Sequence, residues 1–198
     1  MLKDAEFRAL RRPARWPTIG RMTAPRTALA PSFSSLEFRA ALGMFPTGVT
    51  IITAHDARGR RVGLTASSFN SVSLDPPLVL WSLSRRAGSA PAFTAGTHYA
   101  INVLAAEQQA LAQRFASPHA DRFAGLAFHE GVGGAPILEG AAAVFECFNR
   151  SRYEEGDHII FVGEVEHCEH RPGATPLIFH GGRFVMEAGE PPALTRCG

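Results

Sequence analysis

The chain of 198 residues is long enough for one domain with a substantial core and too short for two full domains. Hydrophobic residues make up 45% and charged residues 19%, which excludes a disordered chain, and no window approaches the ~18 unbroken apolar residues of a membrane-spanning helix. The formal net charge of +2 is unevenly distributed along the chain. Residues 1–31 carry seven basic and two acidic residues, whereas the remainder carries 13 basic and 16 acidic residues.

The basic segment, residues 1–31, predicts a disordered N-terminal extension. It contains four prolines, lacks an apolar period, and has no hydrophobic stretch after Arg11-Arg12 that would make a secretory signal. We therefore expect a cytoplasmic protein, with Met22 as an alternative translation start that would remove most of the basic excess. The alternative is an arm that binds the phosphates of nucleic acid or of a membrane surface. The acidic body and the few aromatic residues in the segment argue against that alternative, so we predict neither partner.

The first predicted element is a short amphipathic helix. Ser34 and Glu37 form a capping box ahead of regularly spaced apolar residues, and Pro46-Thr47-Gly48 ends the helix. The ordered domain is expected to span residues 32–188, followed by a loose C-terminal tail at 189–198.

Runs of β-branched and apolar residues between turns predict about seven strands. Short helices are expected at 89–95 and 107–115, and a glycine-rich loop at 131–134. The predicted strands are residues 49–53, 61–67, 71–74, 78–83, 99–104, 141–148 and 158–167, with a closing hairpin of 177–180 and 183–186. Many strands with only small helices between them predict a mainly β fold, a barrel decorated by helices.

Two clusters of hydrogen-bond donors end neighbouring strands. Residues 63–71 carry four hydroxyls and an amide, which suit a phosphate or a polyol chain, although a Ser/Thr-rich turn that satisfies its own backbone is the alternative. Ser82-Leu83-Ser84 ends the next strand and precedes Arg85-Arg86, whose guanidinium groups suit an anionic phosphate. Two such clusters together favour a phosphate-bearing ligand.

A third candidate feature is the segment from Tyr153 to His158. His158 is either a solvated turn residue or a ring oriented by the adjacent Asp157. The odd number and wide spacing of the cysteines indicate neither a disulfide framework nor a metal site, and the histidines show no ligand-like spacing. Because hydrolase, phosphate-loop and dinucleotide-binding signatures are also missing, an enzyme built on this chain would take its chemistry from a bound cofactor.

Several separated motifs occur in a recognisable order. They are Phe45-Pro46-Thr47-Gly48-Val49-Thr50, the segment 63–78 ending in Asp75-Pro76-Pro77-Leu78, Ile101-Asn102-Val103-Leu104, and Gly156-Asp157-His158. With them the chain resembles the flavin reductase-like, FMN-binding split-barrel family, from about Ser34 to Val185. That family includes the small reductase components of two-component flavin monooxygenases. The resemblance implies a Greek-key split β-barrel that works as a homodimer, with FMN or FAD near the subunit interface.

The resemblance also implies roles for single residues. His158 would be the catalytic residue, beside the nicotinamide of NADH or NADPH. The residues implied at the ribityl chain and ring edge of the flavin are Thr65, Ala66, Ser67 and Ser68. Those implied at the phosphate are Ser82, Leu83 and Ser84, with Arg85 or Arg86. Pro46 and Thr47 would border the isoalloxazine ring, Phe69 would form part of the pocket wall, and Tyr153 and Asp157 are weaker neighbours.

The implied activity is hydride transfer from NAD(P)H to FMN or FAD, with reduced flavin passed to a partner monooxygenase. A non-catalytic flavin-binding or storage protein of the same fold is the alternative. The residues distinguish neither FMN from FAD nor NADH from NADPH.

Overall fold

The computed structural model describes residues 30–118 and 121–185. Met1–Ser34 and Ser35–Gly198 are separate units, and of the first unit only the irregular residues 30–34 are described. The predicted N-terminal extension, apart from its last two residues, and the predicted tail at 189–198 lie outside the described residues. Among the described residues, no helix is long and apolar enough to cross a membrane.

Seven antiparallel strands form the main sheet of the described chain. They are β2 (Thr50–His55), β3 (Arg61–Ala66), β4 (Asn70–Leu74), β5 (Pro77–Ser84), β6 (His98–Val103), β9 (Ala143–Glu155) and β10 (His158–His170). Their order is β3-β2-β6-β9-β10-β5-β4. The smaller strands are β1 (Thr47–Gly48), β7 (Phe128–Glu130), β8 (Pro136–Leu138), β11 (Ile178–His180) and β12 (Arg183–Val185). Strands β1, β11 and β12 make a three-stranded sheet, and β7 pairs with β8. The predicted mainly β fold with few helices is confirmed.

The barrel interior is aromatic. Strand β5 alternates buried Val79, Trp81 and Leu83 with half-exposed neighbours, as a strand with one face on a core must. Trp81 stacks on Phe161 of β10 with ring centroids 4.6 Å apart. Truncating a buried aromatic residue of this kind costs about 3–5 kcal/mol, so this cluster stabilises the β5–β10 pair on which the candidate site lies.

Three helices lie around the strands: α1 (Ser35–Gly43), α2 (Ala90–Ala95) and α3 (Gln109–Ala116), the last preceded by a 3-10 turn at Ala106–Gln108. α3 buries Ala112 and Phe115 in a second apolar cluster that includes Ile51 of β2. α1 forms where the capping box predicts it, but it buries none of its side chains, and Leu36 is 76% exposed. The apolar pattern of α1 therefore marks a face that is not buried against the residues the structure describes.

Several parts of the chain differ from the predicted elements, among them Thr47–Gly48, which forms the short strand β1. The predicted loop at 131–134 is a 3-10 turn, and it joins the short strands β7 and β8, which the sequence did not predict. Three-residue strands carry too few residues to show a period, so their pairing is visible only in the fold. β9 and β10 are longer than predicted, and the turn between them contains only Gly156 and Asp157. Met186, the predicted end of the closing hairpin, lies outside the described residues.

Candidate functional site

The core of the site is a row of residues across β5, β10 and β9. In antiparallel strands, directly opposed residues point to the same face of the sheet. Ser84 lies opposite His158, and Ser82 lies opposite Ile160, which in turn lies opposite Tyr153. The alternation places Ser82, Ser84, Tyr153 and His158 on the outer face of the barrel, whereas Leu83 is buried in the core.

His158 is held by its neighbour in the sequence. Its Nδ1 donates a hydrogen bond of 2.7 Å to Oδ1 of Asp157, and its side chain is 46% exposed. This hydrogen bond and then the charge of His158 lower the pKa of Asp157 below its ordinary value. With Nδ1 engaged, Nε2 is the ring nitrogen left to meet a ligand on the outer face.

The two arginines that follow β5 lie against the turn that carries His158. The backbone N–H of Arg85 donates to the Asp157 carbonyl at 3.0 Å, and its guanidinium lies 3.5 Å from the Glu154 carboxylate. Arg86 donates its backbone N–H to Ser84 Oγ at 3.3 Å and forms no salt bridge with any residue that the structure describes. The predicted phosphate end and the predicted nicotinamide residue are therefore neighbours. Arg86 is the arginine without a salt bridge among the described residues, and its charge helps to lower the pKa of Asp157.

Glu154 lies in the segment from Tyr153 to His158 that the sequence analysis singled out, but that analysis gave it no role. It is 66% exposed, and its ion pair with Arg85 reduces the positive charge available to a phosphate. The available signal was the acidic pair Glu154 and Glu155 just before Gly156, of which the fold brings Glu154 to Arg85.

The hydroxyl-rich segment 63–71 begins in β3, and some of its side chains point into the protein whereas others are exposed. Ser68 Oγ accepts from the backbone N–H of Ser82 at 3.0 Å and donates to the Ser82 carbonyl at 3.1 Å, which ties this segment to β5. Thr65 Oγ1 donates to the carbonyl of Ala112 in α3 at 2.7 Å, and Ala66 is buried in the barrel core. Ser67 is exposed, so its hydroxyl is accessible.

Phe69 lies in the barrel wall. Its ring centroid is 5.3 Å from that of Phe145, and the pair packs against the main core. This contact holds the chain in place between Ser68 and the first residue of β4.

Thr47 provides an observation that points to a ligand. Its Oγ1 is buried and has no hydrogen-bond partner among the described residues. A buried hydroxyl without a partner costs about 1–3 kcal/mol, which a ligand can recover. Thr50, three residues after Thr47, lies opposite Ala66 in the β2–β3 pair. Thr47 therefore lies at the end of this pair at which Ser67 follows Ala66. The exposed Pro46 precedes it.

Together these residues fit a flavin nucleotide. Arg86 and Ser84 can meet a phosphate, and Ser67 and Thr47 can hydrogen-bond to hydroxyl or ring atoms. Of the predicted contacts, Leu83 and Ala66 point their side chains into the core, so only their backbone atoms remain for a ligand.

Other reactive groups of the described chain do not join this site. Burial, followed by the nearby acidic groups, raises the pKa of the Cys147 thiol to about 12. Cys168 is exposed and free, and Cys197 lies outside the described residues. Within residues 30–118 and 121–185, no group of three His, Cys, Asp or Glu side chains is arranged to hold a metal ion.

Comparison with known proteins adds independent findings. Residues 42–187 match the family described as flavin reductase like domain. The chain is 46% identical to the FMN reductase (NADH) SmoA of Agrobacterium fabrum, over 76% of this chain and 85% of that protein. It is 37% identical to HsaB, the reductase subunit of a flavin-dependent monooxygenase from Rhodococcus jostii, over 83% of this chain and 84% of that protein.

A solved structure gives the corresponding comparison of folds. The NADH:FAD oxidoreductase SgcE6 of Streptomyces globisporus, in complex with NAD and FAD fragments, is 40% identical, with a TM-score of 0.74. The alignment covers 78% of this chain and 93% of that chain.

Proposed function

The chain belongs to the flavin reductase-like family, and on this basis we propose that it is an NAD(P)H:flavin oxidoreductase that supplies reduced flavin to a partner monooxygenase. The predicted split barrel agrees with the fold of solved flavin reductases. Relatives named as reductase components of monooxygenases support the proposed oxygenase partner.

One observation carries the proposal. His158 lies directly opposite Ser84, and the backbone of Arg85 bonds to Asp157, although these groups are more than 70 residues apart in sequence. A flavin phosphate group near Arg86 and a nicotinamide near His158 would thus be held on adjacent strands of one rigid sheet.

The chain would act by positioning its two ligands. When bound, the flavin accepts a hydride that NAD(P)H donates, so the protein itself needs no nucleophile. Arg86 and Ser84 would hold the phosphate, Ser67 and Thr47 would bind the ribityl and ring portion, and Asp157 would keep the His158 ring turned toward the nicotinamide.

The open geometry suits a flavin that arrives and leaves. Arg86 is exposed, and the side chain of His158 is 46% exposed. The ion pair between Glu154 and Arg85 lowers the net positive charge beside the phosphate. A weakly held phosphate favours release of the reduced flavin to a second protein over permanent binding.

The proposal includes a homodimer in the cytoplasm. α1 and the residues that follow it expose apolar side chains, with Leu42 57%, Met44 70% and Phe45 73% exposed. In β4, Val72 is 49% exposed. Monomeric proteins rarely leave such a series uncovered, and a second copy of the chain is the proposed cover.

Turnover tests the proposal against a flavin-storage protein. The chain is mixed anaerobically with a large excess of FMN and of NADH, and the bleaching of flavin absorbance is followed. A reductase reduces many flavins for each protein molecule. Stoichiometric FMN binding with at most one reduction per protein would support the storage alternative.

A further inference from the structure

The turn between β9 and β10 protrudes from the sheet that carries the site. It contains only Gly156 and Asp157, and both residues are exposed. β5 pairs with β10 as far as His158 and ends there at Ser84, so the turn lies beyond the last paired residues of this neighbour. Exposed turns open more easily than the paired strands beside them. Contacts from outside the hairpin therefore help to determine how firmly Asp157 and the His158 ring are held.

Arg85 contacts both sides of this turn. Its backbone N–H donates to the Asp157 carbonyl at 3.0 Å, on the β10 side. Its guanidinium lies 3.5 Å from the carboxylate of Glu154, on the β9 side. Because β10 lies between β9 and β5 in the sheet, the ion pair spans the end of β10 at which His158 lies. Arg85 thus links the end of β5 to both strands of the hairpin.

The strand register separates this ion pair from the ligand side of the sheet. Glu154 lies opposite Ile159, and Ile159 lies opposite Leu83, so these three side chains share one face. Leu83 is 4% exposed and Ile159 is 8% exposed, which identifies this face as the one that covers the core. His158 lies on the outer face. In pairing with Glu154, the Arg85 guanidinium is therefore directed away from the face proposed to hold the ligands.

Arg86, the next residue, has different surroundings. Its backbone N–H donates to Oγ of Ser84, a side chain of the outer face, at 3.3 Å. Within the part of the chain that the structure describes, its guanidinium forms no salt bridge. Of the two adjacent arginines, one is therefore paired with a carboxylate and the other is available to an anion.

We propose that Arg85 and Glu154 are positioning residues, whose ion pair holds the β9–β10 turn against the end of β5 and so keeps the His158 ring toward the nicotinamide. Arg86 is then the arginine that meets the flavin phosphate. The inference rests on the proposed function, because that function gives the His158 ring its ligand. An exposed ion pair contributes little to the stability of a fold, so breaking this pair loosens the turn and leaves the barrel folded.

Steady-state kinetics of the full chain, with NADH varied at saturating FMN, tests the positioning role. Arg85→Gln and Glu154→Gln are each expected to raise the KM for NADH by about two- to fivefold, the range that an exposed ion pair supports. The double variant should be no worse than either single variant, because the two residues act as a pair. Exchanging them, as Arg85→Glu with Glu154→Arg, restores the ion pair and should return the KM toward that of the unaltered chain.

A matched control lies in the same hairpin. Arg150 and Glu164 form a second ion pair, at 2.7 Å, between β9 and β10, and both side chains are partly exposed. Glu164 is six residues from His158 along β10. Glu164→Gln therefore removes the same kind of contact from the middle of the hairpin, and it should leave the KM for NADH unchanged.

The division between the two arginines is tested by calorimetry with oxidised FMN and with riboflavin, which lacks the phosphate. The double variant Arg85→Gln with Glu154→Gln leaves the net charge of the site unchanged, so the ratio of the two Kd values should stay the same. Arg86→Gln should raise the Kd for FMN by about tenfold, through loss of a charge-assisted contact, and leave that for riboflavin unchanged.

Hydrogen exchange of the Arg85 amide, followed by NMR in the ligand-free chain, requires no turnover. This amide donates to the Asp157 carbonyl, so a looser turn exposes it to solvent more often. Glu154→Gln is expected to increase its exchange rate by about two- to fivefold, and Glu164→Gln should not change that rate. An absence of NADH oxidation would reject the reductase function, whereas the exchange rate would still decide whether the ion pair holds the turn.

Four results would each overturn the proposal. The first two are a KM for NADH that Glu154→Gln leaves unchanged or that Glu164→Gln raises equally, and an exchanged pair that does not restore the KM. The third is an unchanged exchange rate of the Arg85 amide in Glu154→Gln. The fourth is a double variant that weakens FMN about tenfold relative to riboflavin, since that result would place Arg85 at the phosphate.

Discussion

Replacing His158 with alanine is expected to raise the KM for NADH by about tenfold and to leave the Kd for FMN nearly unchanged. The ring is held at 2.7 Å from Asp157 and points its free nitrogen outward, so its loss removes one oriented hydrogen bond to the nicotinamide. Such a bond contributes about 1.4 kcal/mol, which corresponds to about tenfold in an equilibrium constant. Steady-state kinetics with NADH varied at saturating FMN gives the KM, and calorimetry gives the Kd for FMN.

A matched control is available on the same strand. His170 is exposed near the far end of β10, twelve residues from His158, and His170→Ala should leave both constants unchanged. Equal effects of His158→Ala on NADH and FMN would refute the placement of His158 at the nicotinamide. Loss of both through unfolding would be visible in the thermal transition, which His158→Ala should leave in place because the side chain is half exposed.

The other predictions concern ionisation, stability and assembly. The folded-state pKa of Asp157 lies below its ordinary value of 3.8, so the contact with His158 stabilises the fold above that pH. This stabilisation is lost as the pH falls through the lowered pKa. Carbon NMR titration should show the low pKa of Asp157, and His158→Ala should return that pKa toward 3.8. Asn102→Ala should reduce the free energy of unfolding in urea by about 2–4 kcal/mol, because the buried amide bonds to three groups of neighbouring strands. An unchanged urea midpoint would contradict that role. Leu42→Glu should convert a dimer into a monomer in sedimentation, and a native chain that sediments as a monomer would refute the proposed cover of α1.

Much of the sheet could be predicted from local pattern. β5 shows why, since its alternating residues and the Pro76-Pro77 pair at its start specify an extended strand before any partner is known. β7 and β8 could not be predicted in this way, because each has three residues and exists only through pairing with the other. The apolar spacing of α1 likewise predicts a face suited to burial, but it does not show which surface covers that face.

The candidate site was predictable in its residue types and less so in its geometry. Alternation along β5 could already have assigned Leu83 to the core, since it lies between two serines that point outward. The pairing of Arg85 with Glu154 required the neighbourhood of β5 and the β9–β10 turn, which is a long-range property of the fold.

The proposed function is the reduction of free flavin by a reduced nicotinamide. The most direct test supplies NADH and NADPH separately, each with FMN, FAD, riboflavin or no flavin, and follows the absorbance of the reduced nicotinamide in air. We expect rapid oxidation with at least one nicotinamide and only when a flavin is added. Oxidation that none of the three flavins stimulates would contradict it.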